Sequence, residues 1–149
     1  MQAKSILLVE DNESDIELTR RAFAKCGIVN PFIVAEDGQE ALDYLFGTGK
    51  HIGRDRAILP SLVLLDLKVP KIDGLSVLMR IRAEPLTHRL PVVILSTSIE
   101  GRDLAQAYDL GVNSYVRKPV NFDHFANVVE QLRSYWLVLN QAPPMQEPT

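Results

Sequence analysis

Short, unbroken apolar runs recur along the chain, each followed by a stretch with helical periodicity. Ile6-Leu7-Leu8-Val9, Leu62-Val63-Leu64-Leu65 and Val92-Val93-Ile94-Leu95 are continuous rather than alternating. That pattern predicts strands buried on both faces. Phe32–Ala35 and Ser114–Arg117 complete a set of five strands. Between them the pattern predicts a first helix entered through Ser14-Asp15-Ile16-Glu17, which has the form of a capping box, and stopped at Gly27. A second helix is capped by Asp37 and carries Ala41, Leu42 and Leu45 on one side. A third opens at Asp73-Gly74 and runs to about Ala83 before Pro85, and a fourth spans about Asp103–Leu110 and closes at Gly111. The least regular stretch, Gly47–Pro60, reads as a long loop.

A final helix is predicted over Asn121–Leu139, about 28 Å long at 1.5 Å per residue. A five-residue strand covers only about 17 Å, so this helix should overrun the sheet. Phe122, Phe125, Val129, Leu132, Trp136 and Leu139 form one apolar seam along it, with Val128, Tyr135 and Val138 beside them. The segment 140–149 contains three prolines and reads as a disordered tail after a domain at 4–139.

Five strand–helix repeats predict an α/β fold, a doubly wound five-stranded parallel sheet with helices on both faces. Sites in such sheets lie beyond the carboxyl ends of the strands. That rule alone selects Glu10 and Asp11 after the first strand, Asp66 after the third, Ser96 after the fourth and Lys118 after the fifth. Each is ordinary singly: Glu10-Asp11 as a helix entry, Asp66 as a loop cap, Lys118-Pro119 as a turn. Three carboxylates on one edge repel one another, and a divalent cation removes the conflict. Hard oxygen ligands suit Mg²⁺. One carboxylate beside such a cation can act as a nucleophile toward a phosphoryl group, with Lys118 and Ser96 supplying charge and a hydrogen bond to its oxygens.

Composition narrows the classes further. The 149 residues are 46% hydrophobic and 23% charged, with a net charge of −3, the balance of a globular protein without general attraction to nucleic acid or anionic lipid. The arginines form no single helical stripe, and no helix-turn-helix fits. A single cysteine, Cys26, excludes an internal disulfide and fits a reducing compartment. The apolar runs are too short to span a membrane and no signal-peptide pattern precedes the first strand, so a cytoplasmic protein is expected.

Leu8-Val9-Glu10-Asp11-Asn12, Leu64-Leu65-Asp66-Leu67-Lys68-Val69-Pro70 with Asp73-Gly74, Ile94-Leu95-Ser96-Thr97 and Tyr115-Val116-Arg117-Lys118-Pro119 together resemble the response-regulator receiver domains of two-component systems, from Lys4 to roughly Arg133. The resemblance implies a flavodoxin-like receiver fold and a phosphorelay switch rather than a metabolic enzyme. It implies that Asp66 accepts a phosphoryl group from a histidine kinase. It further implies that Glu10, Asp11, Asp66 and the backbone carbonyl of Lys68 hold Mg²⁺, with Mn²⁺ as a substitute. Lys118 would contact the phosphoryl group, and Ser96 and Tyr115 would move with it. The Lys118–Pro119 bond is often cis in such domains, which would aim the lysine inward.

Glu10 stands where many receivers have aspartate, and Lys68 where asparagine is frequent. The Glu-Asp-Asn start and the enlarged Gly47–Pro60 loop are similar to single-domain cyanobacterial regulators that serve phytochrome-type kinases. A homodimer through the face of the fourth helix, fifth strand and fifth helix is expected from the apolar overrun. Two other classes fit the sequence less well. A flavodoxin-like flavin or nucleotide binder needs backbone amides facing a phosphate after the first strand, where Glu10-Asp11 would repel it. An aspartyl phosphatase of the haloacid-dehalogenase type wants an acid at the position of Lys68.

Overall fold

The computed structural model describes residues 5–119 and 121–144. Five strands, β1 (Ile6–Val9), β2 (Phe32–Ala35), β3 (Leu62–Leu65), β4 (Val92–Ser96) and β5 (Ser114–Arg117), form one parallel sheet in the order β2-β1-β3-β4-β5. The helices are α1 (Glu13–Lys25), α2 (Gly38–Phe46), α3 (Gly74–Ala83), α4 (Gly101–Asp109) and α5 (Phe122–Leu132). The expected doubly wound fold is present; β1 and β3 end with their apolar runs, and β4 continues one residue past its run, to Ser96.

The unbroken runs have a simple cause. Leu7, Val9, Val63, Leu65, Val92 and Ile94 pack on one face with Leu45, Val77, Leu78, Ile81 and Ala107 from α2, α3 and α4. Ile6, Leu8, Leu62, Leu64, Val93 and Leu95 pack on the other with Ile16, Phe23, Phe125 and Val129 from α1 and α5. Both faces are covered, so neither parity of a strand can be polar.

Local signals decide where the helices begin. Asp37 and Asp73 accept hydrogen bonds from the backbone N–H of Glu40 and Ser76, capping α2 and α3 as expected. The capping box at Ser14 does not form. Asn12 caps α1 instead, its side-chain oxygen accepting from Asp15 N at 3.0 Å while its carbonyl accepts from Ile16 N. The chain turns into the helix directly off β1, which leaves Ser14 exposed inside the first turn. The Gly47–Pro60 loop contains a short 3₁₀ turn at Gly49–His51.

The last helix also departs from expectation. It is α-helical only to Leu132 and continues as a π-helix over Arg133–Leu139, closed by an Asn140 N–H to Tyr135 carbonyl bond at 2.6 Å. The wider turn breaks the register of the predicted seam. Phe125, Val129 and Leu132 are buried and Trp136 is half-buried, but Leu139 is 68% exposed, along with Tyr135 and Val138. Trp136 lines a groove with Leu59, Leu90, Pro91 and Pro143, at the amino ends of β3 and β4. Residues 141–144 carry no regular structure, and the rest of the expected tail, 145–149, lies outside the described residues, as do Lys4 and Val120.

Candidate functional site

Register builds the site. Val9 pairs with Leu65 across β1 and β3, so Glu10 and Asp66 leave the sheet side by side. Strand order reverses between these two strands, which is where a doubly wound sheet opens a crevice. Asp66 N donates to the Val9 carbonyl at 3.0 Å and Glu10 N to the Ala35 carbonyl at 3.0 Å, so both backbones are fixed. Gly74 keeps the loop after β3 close beneath: its N–H donates to the Leu67 carbonyl, and a Cβ there would clash with the Asp66 carbonyl oxygen.

Glu10, Asp11 and Asp66 each offer a carboxylate oxygen within a span of 4.8 Å. Glu10 is buried at 3% exposure and Asp11 is exposed, so the cluster runs from the interior to solvent. Such a set of hard oxygens, one side open, fits a divalent cation that retains water. Lys68 is exposed, and its backbone N–H approaches Asp66 Oδ1 at 3.4 Å.

Lys118 reaches into the cluster from the end of β5 and is buried. Its ammonium lies 2.5 Å from Glu10 Oε1, 2.9 Å from Asp15 Oδ2 and 3.6 Å from Asp66 Oδ2. The Lys118–Pro119 peptide is trans, contrary to expectation. The lysine is aimed instead by the sheet edge, its backbone N–H donating to the Ser96 carbonyl at 2.7 Å.

Burial pushes Glu10 up to about 7, aided by the Asp66 charge and opposed by the hydrogen bond and charge of Lys118. For Lys118 burial acts downward, but hydrogen bonds to Glu10 and Asp15 and the charges of Glu10 and Asp66 outweigh it and hold the ammonium at about 12. The lysine is therefore a permanent cation among carboxylates that crowd one another.

The far side of the site is a hydroxyl relay. Ser96 is buried, and its hydroxyl oxygen accepts from Ser98 N at 3.2 Å. The Tyr115 hydroxyl donates to the Ser98 carbonyl at 2.8 Å, and the Ser98 hydroxyl donates to Asp103 Oδ2 at 2.5 Å. Burial raises the Tyr115 phenol above its ordinary range. The loop between β4 and α4 thus ties Ser96 to Tyr115 through Ser98.

The structure brings together the side chains of Glu10, Asp11, Asp66 and Lys118, with Ser96 joined to Lys118 through its backbone carbonyl. It adds three that were missed: Asp15, Ser98 and Asp103. Asp15 sits four residues past Asp11, one turn along α1, a spacing that could have marked it. Ser98 was visible only as part of a polar run, and Asp103 only as a helix-entry acid.

A parallel doubly wound sheet carrying an acidic triad at its switch point, with a buried lysine over it, defines a class of phosphate-handling α/β domain. Residues 6–130 match the response regulator receiver domain family, and the chain belongs to it. It is 44% identical over 93% of its length to the probable methanogenesis regulatory protein FilR2 of Methanothrix harundinacea, covering 86% of that protein. It is 37% identical to the response regulator Rcp1 of Synechocystis sp., covering 90% of this chain and 89% of Rcp1.

Among solved structures it resembles the phosphorylated cyanobacterial phytochrome response regulator RcpA, with a TM-score of 0.87 and 39% identity over 96% of this chain and 100% of RcpA. The Mn²⁺-bound form of Rcp1 superimposes with a TM-score of 0.85 over 95% of this chain and 99% of that one. The chain is a phosphorelay response regulator, and the acidic cluster at its crevice does not favour a flavin or nucleotide phosphate there. No helix among the described residues is long and apolar enough to cross a membrane.

Proposed function

We propose that Asp66 is the phosphoacceptor and that Glu10, Asp11, Asp66 and the Lys68 carbonyl hold Mg²⁺ beside it. The observation that carries this reading is the convergence of three carboxylates within 4.8 Å at the switch point, with the Lys118 ammonium over them. The cation, when bound, offsets the charge of the acidic cluster and of the incoming phosphoryl oxygens. Mn²⁺ substitutes for it, in keeping with the bound ion in Rcp1.

In the transfer, an Asp66 carboxylate oxygen attacks phosphorus while the P–N bond of a phosphohistidine breaks. The bonding pair returns to the imidazole nitrogen, which takes up a proton as it leaves. Lys118 donates to a phosphoryl oxygen, and Ser96 donates its hydroxyl to another. Ser96 then gives up its contact with Ser98 N, and the loop carrying Ser98 and Tyr115 rearranges. Water later cleaves the acyl phosphate, releasing inorganic phosphate and restoring the carboxylate. The output is a changed surface rather than a metabolic product.

The donor in this reading is a phytochrome-type histidine kinase, supported by the likeness to Rcp1 and RcpA. The setting is the cytoplasm, and no nucleic-acid partner is assigned. Tyr135, Val138 and Leu139 are exposed just beyond α5, and a homodimer through the face of α4, β5 and α5 is the assembly that would bury them. Incubation with Mg²⁺ and a phosphorylated phytochrome kinase tests the pathway: transfer to the wild type and none to Asp66→Asn supports it.

A further inference from the structure

A lysine ammonium has three donors and no acceptor. In this chain two of them are committed, one to Glu10 Oε1 at 2.5 Å and one to Asp15 Oδ2 at 2.9 Å. The third has no carboxylate within hydrogen-bond length; Asp66 Oδ2, the other carboxylate oxygen close by, lies at 3.6 Å. Glu10 belongs to the acidic triad, but Asp15 does not: it stands on α1, outside the 4.8 Å cluster.

Its backbone is fastened on both sides. Asp15 N donates to Asn12 Oδ1 at 3.0 Å, and the Asp15 carbonyl accepts from the Thr19 hydroxyl at 2.7 Å. The side chain is 31% exposed, against 7% for Lys118, so it comes to the buried lysine from the solvent side.

We propose that Asp15 is a positioning residue that holds the Lys118 ammonium off Asp66 and aims its one free N–H at the place a phosphoryl oxygen will occupy. This rests on Asp66 being the phosphoacceptor. Without Asp15, the ammonium has a freed donor and one further carboxylate within reach, that of Asp66. Closing on it would cover the lone pairs the nucleophile needs and would have to be undone before transfer. A preoriented donor avoids that rearrangement. An acid in the first turn of a helix also complements the helix dipole, but that role does not depend on Lys118.

The test measures Mg²⁺-dependent binding of beryllofluoride, a phosphoryl mimic, by ¹⁹F NMR, with thermal stability recorded alongside. Asp15→Ala weakens binding by roughly tenfold, the effect of losing one charged hydrogen bond, and Asp15→Glu recovers part of the loss. In a Lys118→Ala background, Asp15→Ala has no further effect, which a merely structural contribution would not reproduce. Asp15→Asn keeps the size and removes the charge; it gives an intermediate loss and serves if the alanine variant fails to fold. Equal binding by wild type and the Asp15 variants, or the same loss with and without Lys118, overturns the proposal. A wild type that binds no beryllofluoride overturns the phosphoacceptor reading and this one with it, whereas wild-type binding with unaltered variants overturns the role of Asp15 alone.

Discussion

The Lys118 ammonium lies 2.5 Å from a Glu10 carboxylate that is nearly sealed from solvent, yet Glu10 is pushed up to about 7 from an ordinary 4.5. A carboxyl raised by folding contributes stability that is full below its unfolded value and lost as pH rises through its folded one. The metal-free protein should therefore lose this contribution between about pH 4.5 and 7. Lys118, held at about 12, stays charged throughout that window. A cation competes with the proton for Glu10, so Mg²⁺ should raise the melting temperature more at pH 7.5 than at pH 5.5, roughly either side of the transition. Scanning calorimetry of wild type and Glu10→Gln checks this. The same pH dependence in both would contradict it.

Lys118→Ala should separate phosphorylation from the response it produces. The ammonium's contact with the phosphoryl group is an interaction that differs between the two states, so its loss removes part of the bias between them. Intact mass should still show modification in this variant. Amide shifts around Ser96, Ser98 and Tyr115 on adding Mg²⁺ and beryllofluoride should shrink to a small fraction of the wild-type change. Full shifts would mean that Lys118 does not couple the phosphoryl group to the relay.

Much of this molecule was legible in its sequence because burial on both faces forces unbroken apolar strands. Ile6–Val9 and Leu62–Leu65 are strands for that reason, and the residues that follow them must sit at the crevice. Contacts set by three-dimensional approach were not legible. Ser14 and Asn12 both offer capping side chains, and only the tight exit from β1 decides for Asn12. Asp15 gains its role from a lysine more than a hundred positions away. The π-helical Arg133–Leu139 has an ordinary helical pattern in sequence, and its shift accompanies Trp136 meeting the groove by Leu90 and Pro143.

Arg82 shows a different kind of long-range contact. Its guanidinium donates to the carbonyls of Gly111 at 2.8 Å, His88 at 3.1 Å and Leu90 at 2.7 Å, and to Asn113 Oδ1 at 2.8 Å. These bonds tie the end of α3 to the entries of β4 and β5. Arg82→Ala should cost about 3 kcal/mol in chemical denaturation, since several charged hydrogen bonds are lost together. Beryllofluoride affinity should stay within about twofold, because the site lies at the other end of the strands. A large loss of affinity without loss of stability would contradict this division.

The apolar end of the last helix gives a measurable consequence for assembly. Sedimentation of the intact chain at tens of micromolar should show a dimer, and Val138→Glu with Leu139→Glu should shift it to monomer. The monomeric double variant should still unfold in one cooperative transition, as both side chains are exposed on the protomer. A monomeric wild type, with and without beryllofluoride, would remove the dimer from the account.

Whether Asp66 takes the phosphoryl group can be read from the intact mass of the protein. Wild-type protein incubated with acetyl phosphate and Mg²⁺ should gain the mass of one phosphoryl group, and neither wild type with the metal chelated beforehand nor Asp66→Asn should gain it. The same gain in Asp66→Asn, or a gain in wild type that ignores Mg²⁺, would contradict the assignment.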